Sequence, residues 1–84
     1  MYKVLLSRKA ERFLANLSGK NYILVANAIS SLAHDPYQTG CKKLKGYPDT
    51  FRIRAGNYRI LYRIEGSELI VEVAEIGDRK DVYE

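Results

Sequence analysis

The 84 residues, 46% hydrophobic and 29% charged, predict one globular domain spanning residues 1–84. No apolar run approaches the roughly 20 residues of a membrane span, and the apolar stretch near the N-terminus is too short for a signal peptide, so we expect a cytoplasmic protein. The net charge of +4 favours a polyanionic partner, and the single cysteine, Cys41, cannot form an internal disulfide.

The first half of the chain predicts a short strand and then two helices. Residues 2–6 form a β-type run, and Ser7 follows with a hydroxyl suited to cap the first, amphipathic helix. A second helical pattern covers residues 21–33 and ends at Asp35, because a residue before proline is pushed out of the helical region. The tight turn between the helices predicts an antiparallel hairpin. The second helix is expected to bury one stripe, formed by Tyr22, Val25, Ala26, Ile29 and Leu32.

The second half predicts a loop and a three-stranded antiparallel meander. Residues 36–49 contain two prolines and two glycines and are interpreted as a loop. The predicted strands cover residues 50–55, 58–65 and 68–76. Two-residue turns are expected to join them, at Gly56-Asn57 and Gly66-Ser67. The element order predicts an α+β fold with the helices packed on one face of the antiparallel sheet.

Arginines share one face of this predicted sheet. A two-residue turn at Gly56-Asn57 places Arg54 opposite Arg59, and opposite residues project to the same face. Arg52 and Arg63 fall on that face as well. The second turn is expected to place Glu72 opposite Leu61 and Ala74 opposite Arg59.

Three of the arginines predict a phosphate site. Directly opposed like charges are unfavourable, whereas the planar donor fork of arginine suits phosphate, so we assign Arg52, Arg54 and Arg59 to an anion and Arg63 to a structural role. If the C-terminal tail brings Arg79 and Tyr83 to this surface, a guanidinium on phosphate and a ring on a base would hold single-stranded RNA. Further RNA contacts are expected from the basic run that contains Lys42, Lys43 and Lys45.

The segments KLKGYPDTFRIRAGNYRILYRI and EIGDRKDVY resemble the RelE/ParE toxin superfamily, and the element layout extends the resemblance over essentially the whole chain. The resemblance implies the RelE-like microbial RNase fold and the toxin of a type II toxin–antitoxin system. It further implies a ribosome-dependent endoribonuclease that cuts mRNA in the ribosomal A site. Its partners would be the ribosome, mRNA and a cognate antitoxin with an acidic, partly disordered segment, and operator DNA would be reached only through the antitoxin.

The resemblance also implies residue roles. The positions that match the catalytic set of RelE-like nucleases are Arg52, Arg54, Arg59, Arg79 and Tyr83. In such enzymes the RNA's own 2′-hydroxyl attacks the adjacent phosphate, so neither a metal nor a cofactor is expected. Fixed arginines would stabilise the charge on the phosphoryl oxygens, Arg79 would lie by the leaving 5′-oxygen, and Tyr83 would stack on a base.

The general base is left open, because arginine titrates far above neutral pH. Tyr83, Asp78 and Asp81 are the candidates, and His34 is interpreted as a helix C-terminal residue favoured by the dipole. Two other functions also stay open. One is a ParE-like toxin that poisons DNA gyrase without cutting RNA, and the other is a catalytically weak member that acts mainly as an antitoxin-binding corepressor.

Overall fold

The computed structural model describes residues 1–78, which form two helices and a mixed five-stranded sheet. The helices are α1 (Arg8–Ala15) and α2 (Gly19–His34). The strands are β1 (Lys3–Leu6), β2 (Lys42–Lys43), β3 (Thr50–Ala55), β4 (Tyr58–Glu65) and β5 (Ile70–Asp78). Their order across the sheet is β1-β5-β4-β3-β2, with β1 parallel to β5 and the other neighbours antiparallel. The predicted α+β fold is confirmed. Neither helix of this part of the chain has the length and apolar character needed to cross a membrane.

The start of α1 and the end of α2 follow from the residues predicted to set them, whereas α2 begins at Gly19, two residues before the predicted start. The Ser7 Oγ accepts a hydrogen bond from the Ala10 N–H at 3.1 Å, which confirms the N-cap of α1. The same hydroxyl donates to the Ala74 carbonyl at 2.6 Å, so the cap also ties α1 to β5. At the other end of the helical hairpin, α2 stops at His34 and Asp35 takes an extended conformation before the proline.

The β3–β4 hairpin has the predicted register. Gly56 has a φ of 61°, the positive value that glycine adopts at the first position of a two-residue hairpin turn. A Cβ added at Gly56 would lie 2.5 Å from Leu24 Cδ2, so glycine also lets α2 approach the turn closely. Across the two strands Arg54 lies opposite Arg59, as expected.

The predicted register between β4 and β5 is wrong by two residues at the turn. The chain reverses through residues 66–69 rather than through Gly66-Ser67 alone, and the Leu69 N–H donates to the Gly66 carbonyl at 3.3 Å. Leu69 takes a positive φ of 54°, which apolar residues seldom adopt and which the sequence pattern did not indicate. Ile64 therefore pairs with Val71 instead of Leu69.

A β-bulge changes the register a second time. One extra residue of β5 lies opposite the step from Leu61 to Tyr62 on β4. The extra residue resets the alternation of faces, so that Ile76 joins the core with 3% of its surface exposed. As a result Gly77 lies opposite Arg59, where Ala74 was expected.

The segment interpreted as a loop contains the short strand β2. Lys42 pairs with Arg52 and Lys43 with Phe51, so β2 forms one edge of the sheet beside β3. Two residues are too few to show the alternation by which strands are recognised, and the pattern could not indicate this pairing.

The core lies between the helices and one face of the sheet. Three residues of the predicted α2 stripe are buried in it, namely Val25, Ile29 and Leu32. Tyr22, however, is 43% exposed, so its assignment to the core is wrong. Leu24, two residues further along α2, lies against the Gly56 turn that follows β3. The sheet contributes Ile53, Ile60, Tyr62, Ile64, Val71, Val73 and Ile76.

Tyr62 gives the fold a predictable sensitivity to alkali. Its hydroxyl is buried and donates to the Pro36 carbonyl at 2.6 Å, and burial, reinforced by Cys41, raises the pKa of Tyr62 above its ordinary value of 10.0. The folded state therefore keeps a proton that an unfolded tyrosine releases. Stability from this group is complete below the unfolded pKa and is lost as the pH rises above it.

We expect the free energy of unfolding to fall above about pH 10, with Tyr62 contributing up to about 1.4 kcal/mol per pH unit. Tyr62→Phe is expected to make this fall shallower, as measured by urea unfolding between pH 8 and 11. The matched control is Tyr47→Phe, because Tyr47 is 64% exposed. Identical pH slopes for Tyr62→Phe and the wild type would contradict the assignment.

Candidate functional site

Three of the predicted arginines come together on β3 and β4. Arg54 and Arg59 are directly opposed, and Arg52, two residues along β3, lies opposite Leu61. Arg52 is only 4% exposed, Arg59 is half-buried and Arg54 is exposed. Each guanidinium carries a planar fork of donors that matches the oxygens of a phosphate, so a face with three of them can bind a polyanion at defined positions. We call Arg52, Arg54 and Arg59 the arginine cluster.

Arg63 lies further along β4 and forms an ion pair with an acidic residue of β5. Its Nη2 lies 3.4 Å from Glu72 Oε1, and both side chains are exposed to solvent. The prediction that Glu72 lies opposite Leu61 is wrong, since the four-residue turn moves Glu72 opposite Arg63. Exposed ion pairs contribute little to stability, which makes Arg63 a suitable control for the arginine cluster.

A cleft of about 280 Å³ opens beside the arginine cluster. One wall is the 38–40 segment between α2 and β2, and the other is formed by Arg52, Ile53 and Arg54 of β3. Lys42 of β2 also lines the cleft. The cationic residues could be predicted from the sequence, whereas residues 38–40 could not, because their only signal was the turn-like composition of the loop.

Hydrogen bonds hold the 38–40 segment on the end of α2. Gln38 Nε2 donates to Ser31 Oγ at 3.1 Å and to the Asp35 carbonyl at 3.0 Å. The Tyr37 N–H donates to the Asp35 carboxylate at 3.0 Å. This wall of the cleft is therefore set by the helix terminus before any ligand arrives.

The structure separates the three lysines predicted to bind RNA. Lys42 pairs with Arg52 and lines the cleft, so it shares the face of the arginine cluster. Lys43 pairs with Phe51 and projects to the other face. Lys45 is exposed in the connection between β2 and β3. Of these lysines, Lys42 is the one that the fold brings to the cleft.

Several predicted site residues, Arg79, Asp81 and Tyr83, lie outside the described residues. The last described strand, β5, ends at Asp78, directly after Gly77, which lies opposite Arg59. Asp78, one candidate for the general base, is thus close in the sheet to the arginine cluster. His34 is exposed in the last turn of α2, where the helix dipole favours it.

Comparison with known proteins places the chain in a family. The model of the ParE toxin of the type II toxin–antitoxin system parDE matches residues 4–83. Toxin RelG of Mycobacterium tuberculosis is 30% identical over 83 residues, which are 98% of this chain and 95% of the relative.

Solved structures of related toxins have the same fold. The toxin–antitoxin complex RelBE2 from Mycobacterium tuberculosis matches with a TM-score of 0.81 and 29% identity, covering 93% of this chain and 98% of that one. The archaeal RelE–RelB complex from Pyrococcus horikoshii matches in fold with a TM-score of 0.82 at 21% identity, covering 96% and 98% of the two chains. The chain therefore belongs to the RelE/ParE family of toxins of type II toxin–antitoxin systems.

Proposed function

We propose that this toxin is a ribosome-dependent endoribonuclease that cleaves mRNA in the ribosomal A site and so inhibits translation. The observation that carries the proposal is the arginine cluster, in which Arg54 opposes Arg59 and Arg52 is almost fully buried beside a cleft. Membership of the RelE/ParE toxin family and the similarity to Toxin RelG are consistent with this proposal.

The proposed reaction needs no nucleophile from the protein. The RNA 2′-hydroxyl gives up its proton and attacks the adjacent phosphorus, the P–O5′ bond breaks, and the leaving 5′-oxygen takes a proton. The products are a 2′,3′-cyclic phosphate and a 5′-hydroxyl. Because the nucleophile is the 2′-hydroxyl, RNA is a substrate and DNA is not.

The arginine cluster would act on the charge that develops during this reaction. Negative charge accumulates on the phosphoryl oxygens in the transition state, and donors already fixed in the fold stabilise it without reorganisation. Arg54 and Arg59 lie on paired strands, and the burial of Arg52 limits the movement of its side chain. Arg79 would lie by the 5′-oxygen and Tyr83 on a base, with Tyr83, Asp78 or Asp81 as the general base.

We also propose that a cognate antitoxin binds and neutralises this toxin. The neighbouring structures from Mycobacterium tuberculosis and Pyrococcus horikoshii are complexes of a toxin with its antitoxin. The net charge of +4 favours an acidic segment as the partner, and a disordered segment that folds on binding can cover much of a small protein.

Primer extension on an mRNA that is being translated in a purified system tests both proposals. We expect cuts that appear only when toxin and ribosomes are both present, and that disappear when the antitoxin is added in equal amount. If the toxin cut mRNA without ribosomes as strongly as it cuts translated mRNA, the ribosome dependence would be contradicted. Cutting that persists with excess antitoxin would contradict neutralisation.

A second candidate function is poisoning of DNA gyrase, which the match to the ParE toxin model favours. In that case the toxin would leave translated mRNA intact and would inhibit supercoiling of plasmid DNA by purified gyrase. Primer extension and the supercoiling assay separate the candidates. A nuclease of this kind should cut translated mRNA and leave gyrase active, and a gyrase poison should do the reverse.

A further inference from the structure

We infer that the cleft beside the arginine cluster binds a nucleobase of the RNA, and that Gln38 reads that base through its side-chain oxygen. The inference rests on the proposed nuclease function and adds a determinant of where the enzyme cuts. It concerns residues 38–40, Lys42 and Arg54, which line the cleft.

Hydrogen bonds fix which atom of the Gln38 amide is available. The Asp35 carbonyl can only accept, so the amide atom 3.0 Å from it is the nitrogen. That nitrogen also donates to Ser31 Oγ at 3.1 Å. Both N–H groups of the amide are thereby engaged, and flipping the amide would break both bonds.

Ser31 reinforces this orientation. Its hydroxyl donates to the Ala28 carbonyl at 2.6 Å, so the oxygen is left to accept from Gln38. Within residues 1–78, no hydrogen bond reaches Gln38 Oε1. Gln38 is half-buried and lines the cleft, so its side chain can offer this acceptor to a ligand there.

A fixed acceptor among cations suits a nucleobase better than a bare phosphate. Phosphate oxygens only accept, so they would bind Lys42 and Arg54 but would gain nothing from Gln38 Oε1. The edge of a base presents an N–H beside a carbonyl or ring nitrogen, which matches the mixture of an amide acceptor and cationic donors. The volume of about 280 Å³ lies below the range typical of drug-sized ligands, about 300–1,000 Å³, and fits one base.

The cleft is continuous with the proposed reaction centre. Arg52 and Arg54 line it, and Arg54 is also directly opposite Arg59. A phosphate on the arginine cluster would therefore belong to a nucleotide whose base, or whose neighbour's base, reaches the cleft. The identity of that base would then affect how often the adjacent bond is cut.

Mapping all cut ends in translated mRNA at single-nucleotide resolution tests the inference. We expect the wild type to prefer some bases at one position beside the cut, and Gln38→Met to weaken that preference by about 2- to 10-fold, the value of one net hydrogen bond. Ser31→Ala, which releases the Gln38 amide, is expected to weaken it partly. Ser30→Ala is the matched control, because Ser30 is exposed on the same helix, and it should leave the preference unchanged.

A second measurement does not depend on cleavage. In NMR titrations of the wild-type toxin, cytidine and guanosine 3′-monophosphates should shift the amide signals of residues 38–40 more than inorganic phosphate does. Equal shifts with inorganic phosphate would overturn the inference and make the cleft a simple anion site. An unchanged cut profile in a folded Gln38→Met variant would overturn it and leave the nuclease proposal intact, whereas no ribosome-dependent cuts by the wild type would overturn both.

Discussion

Arg59→Ala is expected to slow ribosome-dependent mRNA cleavage by about 100- to 1,000-fold, the usual effect of removing one preorganised donor from a charged transition state. Arg59 is the member of the arginine cluster on β4, and it lies opposite both Arg54 on β3 and Gly77 on β5. Gly77 has no side chain, so the position on β5 opposite Arg59 adds no side chain to this face of the sheet. The measurement is the rate at which primer-extension products appear in a purified translation system.

The matched control for this prediction is Arg63→Ala. Arg63 lies on the same strand and also carries a positive charge, but it is paired with Glu72 in an exposed ion pair. Its removal should change the cleavage rate by less than about 5-fold, because Arg63 lies outside the arginine cluster and Glu72 offsets its charge. Equal losses in the two variants would show that net charge, rather than the arginine cluster, determines activity.

Loss of cleavage must also be separated from loss of folding. Arg59 is half-buried, and truncating it removes packing contacts of its aliphatic stem. Circular dichroism and urea unfolding should show that the Arg59→Ala variant is folded. A folded variant that cuts at the wild-type rate would overturn the role of Arg59.

The face of the arginines could be predicted from the sequence because one short turn fixes it. Gly56-Asn57 favours a two-residue hairpin, and the register of that hairpin sets Arg54 opposite Arg59. The turn after β4 lacked such a constraint. Gly66-Ser67 matched a two-residue turn, but the chain uses four residues and places Leu69 at positive φ, a conformation that no local pattern favours for leucine.

The cleft could not be predicted, because it depends on contacts between distant parts of the chain. Gln38 lies in a segment with no periodic pattern, and its position follows from hydrogen bonds to Ser31 and Asp35 at the end of α2. The facing wall belongs to β3. The packing of α2 against the sheet and the pairing of β2 with β3 bring these segments together, and sequence spacing indicates neither.

The packing of α2 against the sheet should make a large contribution to stability. Ile29→Ala is expected to lower the free energy of unfolding by about 2–5 kcal/mol, because it removes a buried side chain and leaves a cavity. Ile29 is 8% exposed and belongs to the core formed by α2 and the sheet. For a chain of 84 residues the whole stability is on the order of 4–13 kcal/mol, so the variant approaches the unfolding threshold.

Ile23→Ala is the matched control in the same helix. Ile23 is 59% exposed, so the same substitution removes little buried surface and should change stability by less than about 0.5 kcal/mol. Both changes alter helix propensity equally, and the difference between them in urea unfolding therefore reports burial alone. Similar losses in the two variants would contradict the packing of α2 on the sheet. Ser31 of α2 and Asp35 at its end hold Gln38 by hydrogen bonds. Ile29→Ala should therefore also make the cleft wall more mobile. We expect it to weaken the base preference at temperatures where the protein is still folded.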